Sequence, residues 1–395
     1  MMDVRRLPVP EKTHLKVGYL RLTDSVPLVM ARELGLYERF GLEVELQQEV
    51  SWANVRDKVV TGDLDAAQML APLPLATALG AGGMRADVIT GLALSLNGNA
   101  ITVSSTLGAA IRERGADPHA SARATARALG DHLRERGKKV EVTLAAAHTF
   151  SCHTFLLRRW LQAGGVDPDR DVRIIVLPPE QMVDSLARGV IDGYCVGEPW
   201  NTIAVQYGVG AVVATGYQIW NNGLEKVLGV TGQWHRLHPG THLRLRLALM
   251  EACRWLADDS NRPAAAEVLS RREYLNVPLA SLMPSMSGQF VFAKGEAPLD
   301  LPHFHVFGRF QAGFPWRSDG ERLLQMIGEL LGKKLAPESI KALVQQCFRT
   351  DLYREAARHL QLPCPDLDYR PVNRHDVPWQ LAPGIELGPD RLLEP

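Results

Sequence analysis

The chain has 395 residues, 46% of them hydrophobic, with 44 basic and 44 acidic side chains and a formal charge of zero. That length can bury a sizeable core and predicts two or more lobes, while the balanced charge leaves no electrostatic footprint for nucleic acid or anionic lipid. No apolar run approaches a membrane span, and the five cysteines (Cys152, Cys195, Cys253, Cys347, Cys364) lack metal-ligand spacing, so they read as free thiols of a reducing compartment.

Met1 to Thr13 carries charges and two prolines without an apolar stretch, unlike a secretory or lipoprotein leader, so the expected location is the cytoplasm. Val17 to Leu20 then reads as a strand, Thr23-Asp24 as a loop, and Val26 to Tyr37 as a helix. Leu42 to Leu46 alternates apolar and charged residues, as a half-buried strand does. Ser51 is placed to cap a helix from Trp52 to Val60 that Gly62 stops, and Ala66 to Leu70 makes a short apolar strand. Trp52 thus falls at a strand-to-helix junction, where open α/β sheets hold their ligands. A tryptophan taken alone is more often core. Asp87 to Leu94 is the next strand, Ser95 to Asn99 a loop, and Ala100 to Ser104 a strand leaving for a second lobe.

Arg112 to Lys139 is basic, Ala-rich and helix-prone, a solvated helix face. The first pattern then recurs. Val140 to Ala145 leads through Ser151-Cys152-His153 to a helix from Phe155 to Ala163. Val172 to Leu177 is followed by Pro178-Pro179-Glu180, which opens a helix closed by Gly189. Ile191 to Val196 completes the copy, so that Gly62 and Asp65 correspond to Gly189 and Asp192. Each half reads βαβαβ, and two such lobes facing each other enclose a cleft floored by strand-end loops. The expected division is 1–104 for the first part of lobe 1, 105–213 for lobe 2, 214–290 for the return to lobe 1, and 291–395 for a helical C-terminal region and tail. Two crossings, near Ser104 and Ala214, make a hinge possible. Helices are predicted from Leu243 to Ala257, around Ser270 to Tyr274, from Glu321 to Leu331 and from Pro337 to Phe348. Seven prolines from Pro363 to Pro395 make the tail extended, either wrapped on the body or free.

Among residues at loops and helix starts, Trp52, Asn99, His153 and Lys226 offer an indole, an amide, an imidazole and one fixed positive charge. Singly, His153 reads as a structural histidine and Lys226 as a surface charge. Together they suit a small, planar, monovalent oxyanion, which needs a charge partner and enough donors to replace its hydration. Bicarbonate is disfavoured, since its hydroxyl wants an acceptor and none of these four residues is a carboxylate. There is no nucleophile elbow, P-loop, dinucleotide fingerprint or histidine metal motif, so neither an enzyme nor a cofactor or metal site is expected.

Several stretches resemble the nitrate- and bicarbonate-binding proteins of ABC transporters and their cytoplasmic relatives. They are L-T-D-S-V-P-L-V-M-A (Leu22 to Ala31), S-W-A-N-V-R-D (Ser51 to Asp57), D-A-A-Q-M-L-A-P (Asp65 to Pro72), L-N-G-N-A-I (Leu96 to Ile101), R-R-W-L-Q-A-G-G-V-D-P-D-R-D-V (Arg158 to Val172) and D-G-Y-C-V-G-E-P-W-N (Asp192 to Asn201). The resemblance runs from about Lys16 to Trp316. It implies a bilobed periplasmic-binding-protein-like (type II) α/β fold, and it selects Trp52, Asn99, His153 and Lys226 as the nitrate or nitrite ligands. Two departures stand out: Asn99 replaces the usual, longer glutamine, and F-S-C precedes His153 where transporter members often carry G-G-T. A leaderless member is similar to the NasS-type nitrate/nitrite sensor, which implies an ANTAR-type RNA-binding antiterminator as partner, released when ligand arrives. The alternative is the substrate-binding protein of a nitrate, nitrite or bicarbonate ABC transporter. An enzyme of the same fold, such as a pyrimidine synthase, is opposed by the missing cysteine-rich motif.

Overall fold

The computed structural model describes residues 4–136 and 141–395. Its strands, in chain order, are β1 (His14–Tyr19), β2 (Glu43–Gln48), β3 (Ala66–Leu70), β4 (Val88–Ile89), β5 (Ala93–Asn97), β6 (Asn99–Ser104), β7 (Thr143–Ala146), β8 (Arg173–Val176), β9 (Gly193–Gly197), β10 (Gly210–Thr215), β11 (Leu224–Thr231), β12 (Gln289–Phe290), β13 (Leu299–Asp300), β14 (His305–Val306), β15 (Trp379–Ala382) and β16 (Ile385–Leu387). One sheet has the order β14-β5-β11-β3-β1-β2, with β4 paired to β11; the other has the order β10-β6-β9-β7-β8. In both, the lobe's own three strands run parallel in the order third, first, second. Beside the third lies an antiparallel strand that has just arrived from the other lobe, β11 against β3 and β6 against β9. The sequence repeat is therefore a repeat of topology, and the bilobed α/β fold is present.

The repeated residues do the same work in each copy. Asp65 accepts from the Lys16 amide at 3.0 Å and Asp192 from the Thr143 amide at 2.8 Å, each pinning the third strand of its lobe to the first. Ser51 accepts from the Asn54 amide at 3.2 Å and Ser151 from the Thr154 amide at 3.0 Å, so both helices at the cleft are N-capped. Gly62 (φ 86) and Gly189 (φ 67) take the left-handed turn after their helices, which a side chain would oppose.

Strand pairing moves the crossings away from Ser104 and Ala214. β6 and β10 pair with each other in the second sheet, so the chain leaves the first sheet at Gly98 and returns through Trp220 to Gly223. Ser95 to Asn97, expected as loop, belong to β5; Asn97 (φ 60), Gly98 (φ 90) and Asn222 (φ 52) provide the sharp turns at the crossings. The two crossings lie side by side. The Asn97 amide donates to the Gly223 carbonyl at 2.9 Å, and the Gly223 amide donates to Asn97 Oδ1 at 3.1 Å. Elsewhere the lobes touch through the Thr23 amide on the Glu198 carbonyl, 2.7 Å, and through the Arg21–Glu180 ion pair, 2.7 Å.

Other differences have local causes. The helix expected over Val26 to Tyr37 is two, Val26–Glu33 and Leu36–Arg39, broken at Gly35 (φ 65). The single strand expected over Asp87 to Leu94 is interrupted because Thr90 bonds instead to Cys347 and Arg349 of the C-terminal region. The basic segment forms helices Ser105–Glu113 and Ala122–Arg136, and the predicted strand start at Val140 lies outside the described residues. Helices Pro239–Leu256, Arg317–Leu330 and Pro337–Cys347 match the expected helices in place, but Arg271 to Tyr274 are a turn after helix Arg262–Ser270. The tail wraps the body. It contains the β15–β16 hairpin, a buried Arg370–Asp319 ion pair at 3.0 Å, and a buried Asp390 that accepts from the amides of Arg374 and His375. No described helix is long and apolar enough to cross a membrane.

Candidate functional site

Trp52 opens the helix Trp52–Thr61, as the sequence predicts, while His153, expected in the lead-in to a helix from Phe155, is the second residue of Cys152–Ala163 because Ser151 caps the helix earlier. Asn99 and Lys226 are not on loops. They are the first residue of β6 and the third of β11, the two strands that have just crossed between lobes. The structure brings all four together, and each is at most 1% exposed.

At the centre stands a residue outside the predicted set, Glu225. Its Oε1 lies 2.6 Å from Lys226 Nζ and 3.3 Å from His153 Nε2, and its Oε2 accepts from Asn99 Nδ2 at 2.5 Å. Asn99 Oδ1 is 3.1 Å from His153 Nε2. Lys226 Nζ also lies 2.8 Å from Asp24 Oδ2 and 5.3 Å from the Trp52 ring centroid. Gln68, buried in β3, donates to Asp24 Oδ1 at 2.8 Å. Adjacent strand residues normally face opposite sides of a sheet. Here the register of β11 against β5 shifts on both sides of Lys226, and this irregularity lets Glu225 and Lys226 meet in one cluster.

The sequence offers signals for the missed residues. Asp24 follows β1 as Trp52 follows β2; Gln68 is polar in an otherwise apolar strand; Glu225 adjoins Lys226.

Burial opposes charge on Lys226, but the Asp24 and Glu225 carboxylates override it and hold the ammonium above the ordinary lysine value. Burial likewise pushes Glu225 up, and Lys226 and His153 outweigh it, leaving the carboxyl below the usual range. Lys226 is thus not the only full charge. With a neutral imidazole the cluster sums to one negative charge, and with an imidazolium it is neutral. Glu225 also supplies the acceptor that a bicarbonate hydroxyl needs, which removes the sequence-based objection to that ligand.

The Trp52 indole N–H is buried with no hydrogen-bond partner among the described residues. Beside the cluster a cavity of about 10 Å³ remains, bordered by Asn99, Cys152, Gly216, Trp220 and Glu225. That is the lower limit for one water, so a polyatomic ligand requires the lobes to part. Larger surface grooves of about 450 and 620 Å³ touch none of these residues. The Cys152 thiol, in the F-S-C departure, donates to the Leu224 carbonyl at 3.1 Å, tying the His153 helix to β11.

A sealed polar cluster between two α/β lobes joined by two crossings is the architecture of periplasmic-binding-protein-like ligand receptors. The chain belongs to the NMT1-like family, whose profile matches residues 9–270. It is 37% identical over 374 residues to the nitrate import ATP-binding protein NrtC of Synechocystis sp., covering 93% of this chain and 53% of NrtC. The nitrate/nitrite binding protein NrtA of Synechocystis is 30% identical over 371 residues, covering 92% of this chain and 80% of NrtA. The bicarbonate-binding protein CmpA of Synechococcus elongatus is 30% identical over 370 residues, with 89% and 80% covered. The crystal structure of the periplasmic nitrate-binding protein NrtA superposes with a TM-score of 0.85 at 28% identity, over 92% of this chain and 94% of that one. The chain therefore spans about half the length of NrtC and most of NrtA and CmpA.

Proposed function

We propose that this protein binds a small planar oxyanion, nitrate or nitrite, between its lobes, as a receptor rather than a catalyst. The observation that carries the reading is Lys226, buried within reach of Trp52, His153 and Asn99 in a cleft that must open to admit a ligand. Similarity to NrtA supports nitrate and nitrite; similarity to CmpA and the acceptor at Glu225 support bicarbonate as the competing ligand. Titration calorimetry with the three anions tests this. One saturable site for nitrate or nitrite is expected, and heat from none of them overturns the reading.

The finer proposal is a cytoplasmic sensor that holds an ANTAR-type antiterminator when empty and releases it when liganded. Its support is the motif resemblance and the neutral charge, which suits a protein partner over RNA. Such switching needs different ligand affinities in the open and closed forms, and the partner must weaken ligand binding by the factor the ligand weakens partner binding. Co-purification without nitrate, followed by nitrate on the column, is expected to elute the partner. A second reading, a receptor module of an importer, is favoured by one observation: the 37% identity to half of the ATP-binding protein NrtC. Capture of importer subunits, or a complex that survives saturating nitrate and nitrite, would establish it over the sensor.

A further inference from the structure

The tail residues Gly388 to Leu393 lie on the hinge itself. The Asn221 amide donates to the Arg391 carbonyl at 2.8 Å, and the Leu393 amide donates to the Ile219 carbonyl at 2.7 Å, around an antiparallel bridge between Trp220 and Leu392. Asn222 Nδ2 donates to the Pro389 carbonyl at 2.8 Å. Asn222 is also the crossing residue in the left-handed conformation, and its side chain is buried. The returning crossing is thus paired on one side with the outgoing crossing at Asn97 and on the other with the tail.

The segment is anchored at both ends. Upstream, Arg370 grips Asp319 on helix Arg317–Leu330, which packs on the first lobe's helix Pro72–Leu79. Downstream, Arg123 of the second lobe donates to the Glu394 carbonyl at 2.7 Å. Between them the buried Asp390 holds the turn together from inside. Trp220, which the segment pairs with, is also a wall of the small cavity beside Glu225.

We propose that Gly388 to Leu393 form a splint on the hinge, a built-in regulatory contact that holds the lobes closed and sets the rate at which the cleft opens. Peeling the splint away frees the returning crossing, and any partner that takes the segment weakens ligand binding by the same linkage. The inference about ligand release rests on the oxyanion reading; the inference about the hinge does not.

Hydrogen exchange in the ligand-free protein separates them. The informative region is the outgoing crossing, Ser95 to Ala100, which none of the tail's hydrogen bonds described above reaches. In a chain stopped after Leu387, exchange there is expected to speed up about tenfold or more, with the rest of both sheets still protected. Nitrate release, followed by stopped flow, is expected to quicken by a similar factor. Unchanged exchange at the outgoing crossing overturns the splint. Faster exchange in a chain that binds no anion keeps the splint and overturns the oxyanion reading. Should the shortened chain lose protection throughout, Asp390→Ala, which loosens the splint through its bonds to the Arg374 and His375 amides, decides the matter by the same measurement.

Discussion

Trp52 carries a buried donor without a partner among the described residues, while Lys226, Asn99 and His153 are all bonded to Glu225 or to one another. An unsatisfied buried donor costs about 1–3 kcal/mol, and a hydrogen bond to a charged group returns about 1.5–3 kcal/mol. Trp52→Phe should therefore leave thermal stability unchanged or slightly higher, yet weaken anion binding about 10- to 100-fold in calorimetry. Equal affinity would mean the indole does not reach the ligand. Lys226→Met should behave differently. It leaves Asp24 and Glu225 buried without their cation, so urea denaturation should show a loss of about 3–5 kcal/mol, partly recovered by adding Glu225→Gln. Glu198, buried at the lobe contact, is pushed up to about 7 by burial, which hydrogen bonds from Thr202 and Asn201 only partly offset. Its folded value lies above the ordinary carboxyl value of 4.5, so its contribution to stability is full below 4.5 and is lost as pH rises through about 7. The wild type should lose about 1.4 kcal/mol per pH unit across that window relative to Glu198→Gln, measured by denaturation at each pH. The pattern of residue types shows which side chains can hold an anion. It does not show Glu225 at the centre, because strand alternation puts neighbours on opposite faces unless a register shift intervenes, and nothing in L-E-K-V marks one.

At the scale of elements, the duplicated strand-helix-strand unit is legible because its punctuation is physical. Gly62 and Gly189 must turn left-handed, and Asp65 and Asp192 must accept from the first strand of their lobes. The two aspartates are not equally loaded. Asp65 also takes Lys12 Nζ at 2.6 Å and Trp234 Nε1 at 2.9 Å, whereas Asp192 serves the Thr143 amide. Asp192→Ala should cost about 1 kcal/mol and Asp65→Ala about 2–3 kcal/mol in denaturant unfolding, at about 1 kcal/mol for each net hydrogen bond. Equal losses would mean that the additional partners of Asp65 contribute nothing. The exchange of β6 and β11 between lobes is not legible. Both are apolar runs that would suit either sheet, and the turns that send the chain across are short, Asn97-Gly98 on the way out and Asn222 on the way back. The tail's path is equally hidden, since prolines describe an extended chain without saying what it lies on.

Across the whole molecule, charge and closure are linked. The sealed cluster holds Asp24, Glu225 and Lys226, and an arriving monovalent anion adds another negative charge to a site that excludes water. Closing the lobes over that excess is costly unless a proton comes too or a carboxylate leaves the cluster. Calorimetry of nitrate binding in buffers of different ionisation enthalpy should report uptake of about one proton per anion, with affinity falling as pH rises. Binding without proton uptake would mean that a carboxylate swings out of the cluster on opening instead.

The strand exchange also dictates an order of assembly. β11 lies between β3 and β5, so the first sheet has a gap in its middle until residues 224–231 have been made. Every strand of the second sheet lies between residues 99 and 215. On a ribosome, the second sheet is complete while the first still shows two bare strand edges, the state in which sheets pair wrongly with other chains. β11 ends that exposure, and in the same step it lays the returning crossing against Asn97 and carries Glu225 and Lys226 into place. The strand that closes the middle of the first sheet is also the one that brings Glu225 and Lys226 into the buried cluster, so a chain stalled before it has neither a joined first sheet nor that cluster.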